Sequence, residues 1–287
     1  MNEFLRKRLV CPISKAPISL NDEGWLSAPS GFKYRENDFR IGLEFSKDWC
    51  DGQHEYESVE KGFLKRINHP EKLSDLDSEV ADVYDEIKMR GDVLDVGGAY
   101  GFVIKQAGLD PSRYVSIDPN NTDWNRLREY RHIEAHYSVC KTAMRIRGFA
   151  EFLPFAEACF DFVHMRSVID HLANPNLALM EVFRVLRRGG RLVVGISLEG
   201  SYKIDRTSMR DSVKYIASKS NTFRKIIKLV RLDYHMFHPT IDSLRALIER
   251  NGFQIENEVW QKAYHNVIYM QAVRLEQLEV SIMPRMG

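Results

Sequence analysis

The stretch Gly91-Asp92-Val93-Leu94-Asp95-Val96-Gly97-Gly98-Ala99-Tyr100-Gly101 constrains this 287-residue chain more than any other. An apolar run of strand length ends in an acid and passes at once into a glycine-rich turn. A carboxylate at the end of a buried strand is costly unless a charged or hydrogen-bonding group meets it. Gly97, Gly98 and Gly101 let a main chain turn sharply and approach a ligand closely. Twenty-three residues beyond Asp95, a second run, Tyr114-Val115-Ser116-Ile117, ends in Asp118, well placed to hold a ribose. Two acids and a glycine turn point to a nucleoside ligand that also carries a cationic group.

The spacing narrows the ligand. A dinucleotide fingerprint needs glycines at relative positions one, three and six, where backbone meets a pyrophosphate. Counted from Gly97 the third position is Ala99, and counted from Gly98 it is Tyr100, so the pyrophosphate reading fails. What stands is Asp95-x-Gly97-x-x-x-Gly101 with an acid about 20 residues on, near the spacing of a ribose ligand in a strand–helix–strand unit. S-adenosylmethionine has no phosphate, but it has an ammonium, a carboxylate and a ribose diol. An acid at the turn suits the ammonium, and N–H groups at a helix start suit the carboxylate.

Five further stretches continue the pattern in order: Ile117-Asp118-Pro119, Gly148-Phe149-Ala150-Glu151-Phe152-Leu153-Pro154-Phe155, Phe160-Asp161-Phe162-Val163, His171-Leu172 and Val185-Leu186-Arg187-Arg188-Gly189-Gly190-Arg191-Leu192. With them the chain resembles the class I S-adenosylmethionine-dependent methyltransferases, in particular the small-molecule branch that includes quinone-biosynthesis enzymes. The resemblance covers residues 75–200 well and 235–275 more loosely. It implies an α/β fold: a doubly wound, mostly parallel seven-stranded sheet of Rossmann-like type. It also implies a small-molecule or sugar-like methyl acceptor.

The same resemblance assigns site residues. Asp95 would meet the methionine ammonium, directly or through water. Gly97, Gly98, Ala99, Tyr100 and Gly101 would form the loop against which the cofactor lies, with Tyr100 as a wall. Asp118 would accept both ribose hydroxyls, Pro119 would rest against the adenine, and Ala150 and Met165 would complete the surroundings. The adenine pocket departs from the family pattern, because Phe149 stands where an aspartate or asparagine usually reads the adenine amino group. Either Phe149 packs on the ring while backbone reads its edge, or Glu151 takes the polar role. Asp161 is expected to cap or orient the fourth strand. A general base is needed only if the acceptor arrives protonated, and His171 and Asp170, just past the fourth strand, are the candidates, with His235 entering from the other side. No metal is expected, since His235 and His238 lack a third ligand nearby.

Composition bounds the alternatives. Lys and Arg number 41 against 40 Asp and Glu, which excludes a globally electrostatic nucleic-acid binder but not a local basic patch. Cys11, Cys50, Cys140 and Cys159 show no paired spacing, which argues against a disulfide framework or a zinc site. No apolar run approaches the ~18 residues of a spanning helix, and the start lacks a signal-peptide stretch, so a reducing cytoplasm is the expected setting. DNA is not an expected partner, and an RNA methyltransferase is the second reading. Against RNA stands the fourth strand's ending, His164-Met165-Arg166-Ser167, which is not the Asn/Asp-Pro-Pro-Tyr type of many base-amino methyltransferases. A third reading, a non-catalytic binding protein of the same fold, is motivated by Phe149.

Along the chain, residues 1–45 carry turn formers between short β-leaning pieces. They resemble the small zinc-ribbon-like module that precedes some methyltransferase domains, with Ser14 where a second cysteine would stand after Cys11; a metal-free β appendage or a packed terminal arm is expected. Residues 46–90 read as a helical lead-in, with Leu76, Val80, Val83, Tyr84 and Ile87 on one face and Ser74 or Asp75 as cap. Residues 91–200 alternate strands near 92–96, 113–118, 144–148, 160–166 and 190–197 with helices near 100–108, 122–131 and 175–187. Such alternation means a parallel sheet, with ligands at the carboxyl ends of its strands. Residues 201–234 are a basic insertion, nine Lys and Arg against three Asp, read as a solvated helical pair, a lid for an anionic substrate, or a membrane- or RNA-facing surface. Residues 235–287 give a helix near 240–250 and strands near 252–260 and 265–274.

Overall fold

The computed structural model describes residues 3–20, 26–35, 37–42, 47–120, 123–198, 236, 238–263 and 266–276. The expected insertion over 201–234, and His235 with it, lie outside these residues. In chain order, a short helix α1 (Glu3–Arg6) precedes three two-residue strands, β1 (Ser19–Leu20), β2 (Leu26–Ser27) and β3 (Lys33–Tyr34). Two helices follow, α2 (Lys47–Ile67) and α3 (Pro70–Glu86). The alternating region runs β4 (Val93–Val96), α4 (Val103–Gln106), β5 (Tyr114–Asp118), α5 (Arg131–His136), β6 (Met144–Arg147), β7 (Phe160–Arg166), α6 (Pro175–Val185) and β8 (Leu186–Ser197). Helix α7 (Ile241–Arg250) and strands β9 (Phe253–Trp260) and β10 (Val267–Arg274) complete it.

The large sheet has the order β6-β5-β4-β7-β8-β10-β9. Its first five strands are parallel, and β10 inserts antiparallel between β8 and β9. Every residue of β4 and β5 is buried, as expected for central strands covered on both faces. Period-two alternation sorts their side chains. Leu94, Val96, Val115 and Ile117 face the layer holding α6, α7 and the N-terminal segment. Val93 and Tyr114 face the layer of α2 to α5. Strand order reverses between β4 and β7, the place where parallel sheets open a crevice for ligands.

Some local expectations give way to turn chemistry. Helix α3 starts at Pro70 behind His69, not at Ser74 or Asp75, because proline at the first position is pre-set for a helix and ends the one before it. The expected helix near 100–108 shrinks to four residues, bounded by Gly101 (φ +77°) and Gly108 (φ +62°). That near 122–131 becomes a 3-10 turn over Trp124–Glu129 followed by α5. Strand β8 starts four residues early, directly after α6, with its irregularity at the Phe160/Phe162 register.

The N-terminal residues form a three-stranded sheet of their own and also pack on the main domain. Leu9 bridges Phe155, Asp38 bridges Arg147 beside edge strand β6, and Phe39 is buried in the core. Arg8 pairs with Asp92 at 2.7 Å, where Arg113 and Arg187 also converge. Burial would raise the Asp92 carboxyl, but the three guanidinium partners hold it below its ordinary range. Asp161 accepts the Asp92 amide at 2.7 Å, which fits its expected strand-orienting role. At Cys11 the Ser14 amide donates to the sulfur at 3.3 Å, and Tyr34 Oη lies 3.0 Å away. Burial pushes that thiol up, and these hydrogen bonds outweigh it, bringing it to about 7.

Candidate functional site

Two cavities open at the carboxyl ends of the strands. The first is walled by Val96 and Gly97 after β4, Ile117 to Asn120 after β5, and Gly148 to Glu151 after β6. Ser167, Val168, His171 and Leu172 after β7 close one side, and Trp49 and Gln53 of α2 roof it. Of the expected site residues, Gly97, Asp118, Pro119, Phe149, Ala150, Glu151 and His171 meet on this surface.

The glycine turn is required where it occurs. Gly97 has φ +69°, and a Cβ there would lie 2.3 Å from Val168 Cγ2. A Cβ on Gly98 would strike the Asp95 carboxylate at 2.3 Å. Ala99 also takes a left-handed conformation (φ +43°), and so does Ser167 (φ +52°) beside the cavity. Such conformations cost about 1–3 kcal/mol each and persist only where the surroundings impose them.

Asp118, last in β5, is buried and accepts the Asn120 amide at 2.8 Å. Burial is the chief cause that pushes its carboxyl up to about 7. A carboxylate here, against apolar Val96, Ile117 and Pro119, is the acceptor a ribose diol would need beside an apolar slot. Phe149 faces Trp49 edge-on, with ring centroids 5.8 Å apart. Glu151 Oε1 accepts the Ala173 and Asn174 amides at 3.0 and 3.2 Å, which commits that oxygen to the turn before α6. Burial raises its carboxyl as well.

Asp95, Gly98, Ala99, Tyr100, Gly101, Asp170 and Met165 do not line this cavity. Asp95 lies beneath the turn, 3% exposed, with both oxygens engaged: Tyr114 donates from Oη at 2.5 Å, and His164 Nδ1 lies 2.8 Å away. His164 Nε2 is 3.1 Å from Tyr84 Oη. Met165 is buried under the end of β7, paired in register with Val96. Asp170 Oδ1 is 4.0 Å from His171 Nε2, and the Asp170 carbonyl accepts the Met236 amide at 2.6 Å.

Sequence reasoning missed Trp49, whose Nε1–H donates to the His171 carbonyl at 3.0 Å. It also missed the Asp95–His164–Tyr84 chain, whose members lie 69 and 80 residues apart. The only hint was a histidine among the apolar residues Phe162, Val163 and Met165 of β7.

The second cavity lies on the other side of Gly97 and Ser167, which line both. Its walls are Phe63, Leu76, Glu79, Phe102, Gln106, Arg166, Ser197, Gln261 and Val267. Among the described residues no helix is long and apolar enough to cross a membrane, and no cluster of His, Cys, Asp and Glu is arranged to hold a metal.

Comparison with known proteins bears on the family and the fold. Residues 94–194 match the family described as Methyltransferase domain. The ubiquinone/menaquinone biosynthesis C-methyltransferase UbiE of Vibrio cholerae is 25% identical over 194 residues, covering 61% of this chain and 66% of that protein. The protein of the same name from Saccharophagus degradans is 22% identical over 185 residues, covering 61% and 69%. The chain thus spans about two thirds of the length of these relatives. A solved complex of a methyltransferase and a methyltransferase activator from Haloferax volcanii superposes with a TM-score of 0.51 at 12% identity, covering 82% of this chain and all of that one. That likeness is one of fold.

Proposed function

We propose that this class I S-adenosylmethionine-dependent methyltransferase binds its cofactor in the first cavity and methylates a small molecule held in the second. The observation that carries the reading is the shared border: Gly97 and Ser167, at the ends of the two strands flanking the switch point, line both cavities. When bound, the cofactor supplies an electrophilic methyl on a good leaving group, so the protein mainly aligns the acceptor and excludes water.

Asp118 would accept the ribose hydroxyls, and the turn from Gly97 to Gly101 would offer backbone to the amino-acid end. Phe149 and Trp49 would close on the adenine. Asp95, with both oxygens occupied, would act as a positioning residue that sets the turn from beneath. His171 borders the first cavity with Asp170 beside it; it would take the proton of an acceptor that arrives protonated. The names of the relatives, enzymes of quinone biosynthesis, support a small-molecule acceptor over a polymer. The near-neutral charge supports the same choice.

Isothermal titration with S-adenosylmethionine tests the reading. Saturable binding is expected, weakened by roughly 1.5–3 kcal/mol in Asp118→Ala, the range of a charge-assisted hydrogen bond. Absence of binding at millimolar cofactor would leave only the fold.

A further inference from the structure

We propose that the second cavity takes a small apolar or aromatic acceptor carrying one acidic group, and that Arg166 is the residue that holds that group. The proposal rests on the methyl-transfer reading above and deepens it.

Arg166 ends β7, one residue before the Ser167 border, and lines the cavity. Its guanidinium lies near the Tyr84 and Tyr269 hydroxyls and in the field of Glu79. Among the described residues no carboxylate pairs with it at salt-bridge distance. Arginine stays charged at any ordinary pH. Burial opposes this charge while the nearby tyrosine hydroxyls and the field of Glu79 favour it, so the wall holds a half-buried cation that, among the described residues, has no counter-ion at salt-bridge distance. A carboxylate or phosphate entering the cavity supplies that counter-ion, and the planar guanidinium fork suits either in a bidentate pair.

The guanidinium is also backed by a fixed framework. Tyr114, Asp95, His164 and Tyr84 form a buried hydrogen-bonded chain with steps of 2.5, 2.8 and 3.1 Å, and Arg166 lies near its Tyr84 end. A charge fixed before the ligand arrives loses little freedom on binding.

The rest of the wall defines the body of the ligand. Phe63, Leu76, Phe102 and Val267 offer apolar and aromatic surface. The side-chain amides of Gln106 and Gln261 already donate, to Asp77 and Tyr137 and to the Glu79 carbonyl. Among the described residues Glu79 is the one acid on this wall, and it disfavours a second negative charge on the ligand. The chemistry fits a monoanion with a hydrophobic body.

The test uses the full chain saturated with S-adenosylhomocysteine and two probes, benzoate and benzamide, which share a shape and differ in charge. By titration calorimetry the wild type should bind benzoate roughly tenfold or more tightly than benzamide, the effect of one charge-assisted pair. Arg166→Gln should remove that preference and Arg166→Lys keep part of it, both leaving S-adenosylhomocysteine affinity unchanged. Glu79→Gln leaves Arg166 in place and should tighten benzoate binding by about two- to fivefold as a nearby like charge is lost. Equal binding of the two probes, a preference that survives Arg166→Gln, or no benzoate binding at millimolar concentration overturns the proposal. If S-adenosylhomocysteine itself fails to bind the wild type, it is the cofactor reading that falls.

Discussion

The two cavities that meet at Gly97 and Ser167 are built in opposite ways. The first takes nearly all its wall from short contiguous stretches at the ends of β4, β5, β6 and β7, with only Trp49 and Gln53 contributed from outside. The second gathers single residues from α2, α3, α4, β7, β8 and the approach to β10. A surface made of strand ends inherits the regularity of a parallel sheet, whose register brings those ends together in a row. A surface made of scattered helix faces inherits nothing from spacing and can change one residue at a time. On the reading proposed above, the common cofactor would belong to the regular surface and the particular acceptor to the scattered one.

The two carboxylates divide along the same line. Asp95 and Asp118 end neighbouring strands, yet Asp95 is sealed under the turn and Asp118 faces the first cavity. Replacing Asp95 with alanine should have the largest effect. It orphans the buried Tyr114 hydroxyl and one nitrogen of His164, at about 1–3 kcal/mol each, so a loss of about 2–6 kcal/mol is expected. Urea denaturation measures it, and a loss below a fraction of that range would mean Asp95 is not structural.

Next comes Gly97→Ala. The left-handed backbone costs about 1–2 kcal/mol for a residue with a Cβ, and overpacking against Val168 adds about 1–3 kcal/mol. Cofactor titration and thermal melting should both suffer. The double variant Gly97→Ala, Val168→Ala should recover the packing part but not the backbone part.

Asp118→Ala should do the reverse of Asp95→Ala, weakening the cofactor while sparing the fold. Its burial also gives a pH signature. An acid raised from 3.8 to about 7 keeps its proton longer in the folded protein than in the unfolded chain. The native state therefore binds more protons between those values, and stability falls as pH rises through that window. Asp118→Asn should abolish this slope in melts recorded from pH 4 to pH 8. Cofactor affinity should run the other way, rising through pH 7 as the acceptor form of Asp118 appears. A flat profile of affinity would separate Asp118 from the ribose.

The smallest effect is expected at Trp49. Phenylalanine there keeps the ring contact with Phe149 but removes the hydrogen bond to the His171 carbonyl, a loss of about 0.5–1.5 kcal/mol. It should loosen cofactor binding slightly if α2 roofs that site. An unchanged affinity would confine Trp49 to packing.

Reading the chain recovered the strands of the sheet within a few residues, because apolar runs closed by glycine or acid carry their own boundaries. The helices between β4 and β6 were less legible. Gly101 and Gly108 cut one to four residues, and 3-10 geometry replaced most of another. Burial and proximity were less legible still. Asp95 looked like a ligand-facing acid because strand ends carry ligands, but Tyr114 sits one strand away and His164 directly across the ladder, and both claim it.

From the sequence alone came the α/β architecture, the strand–turn–acid arrangement and its nucleoside chemistry, since periodicity, glycine positions and spacing are local properties of a chain. The tertiary structure alone decided which acid faces the first cavity and which lies beneath the turn. It also decided that Arg166 reaches a cavity without a carboxylate partner among the described residues. Those outcomes depend on which side chains meet across strands and layers, and contact between residues dozens of positions apart is decided by packing.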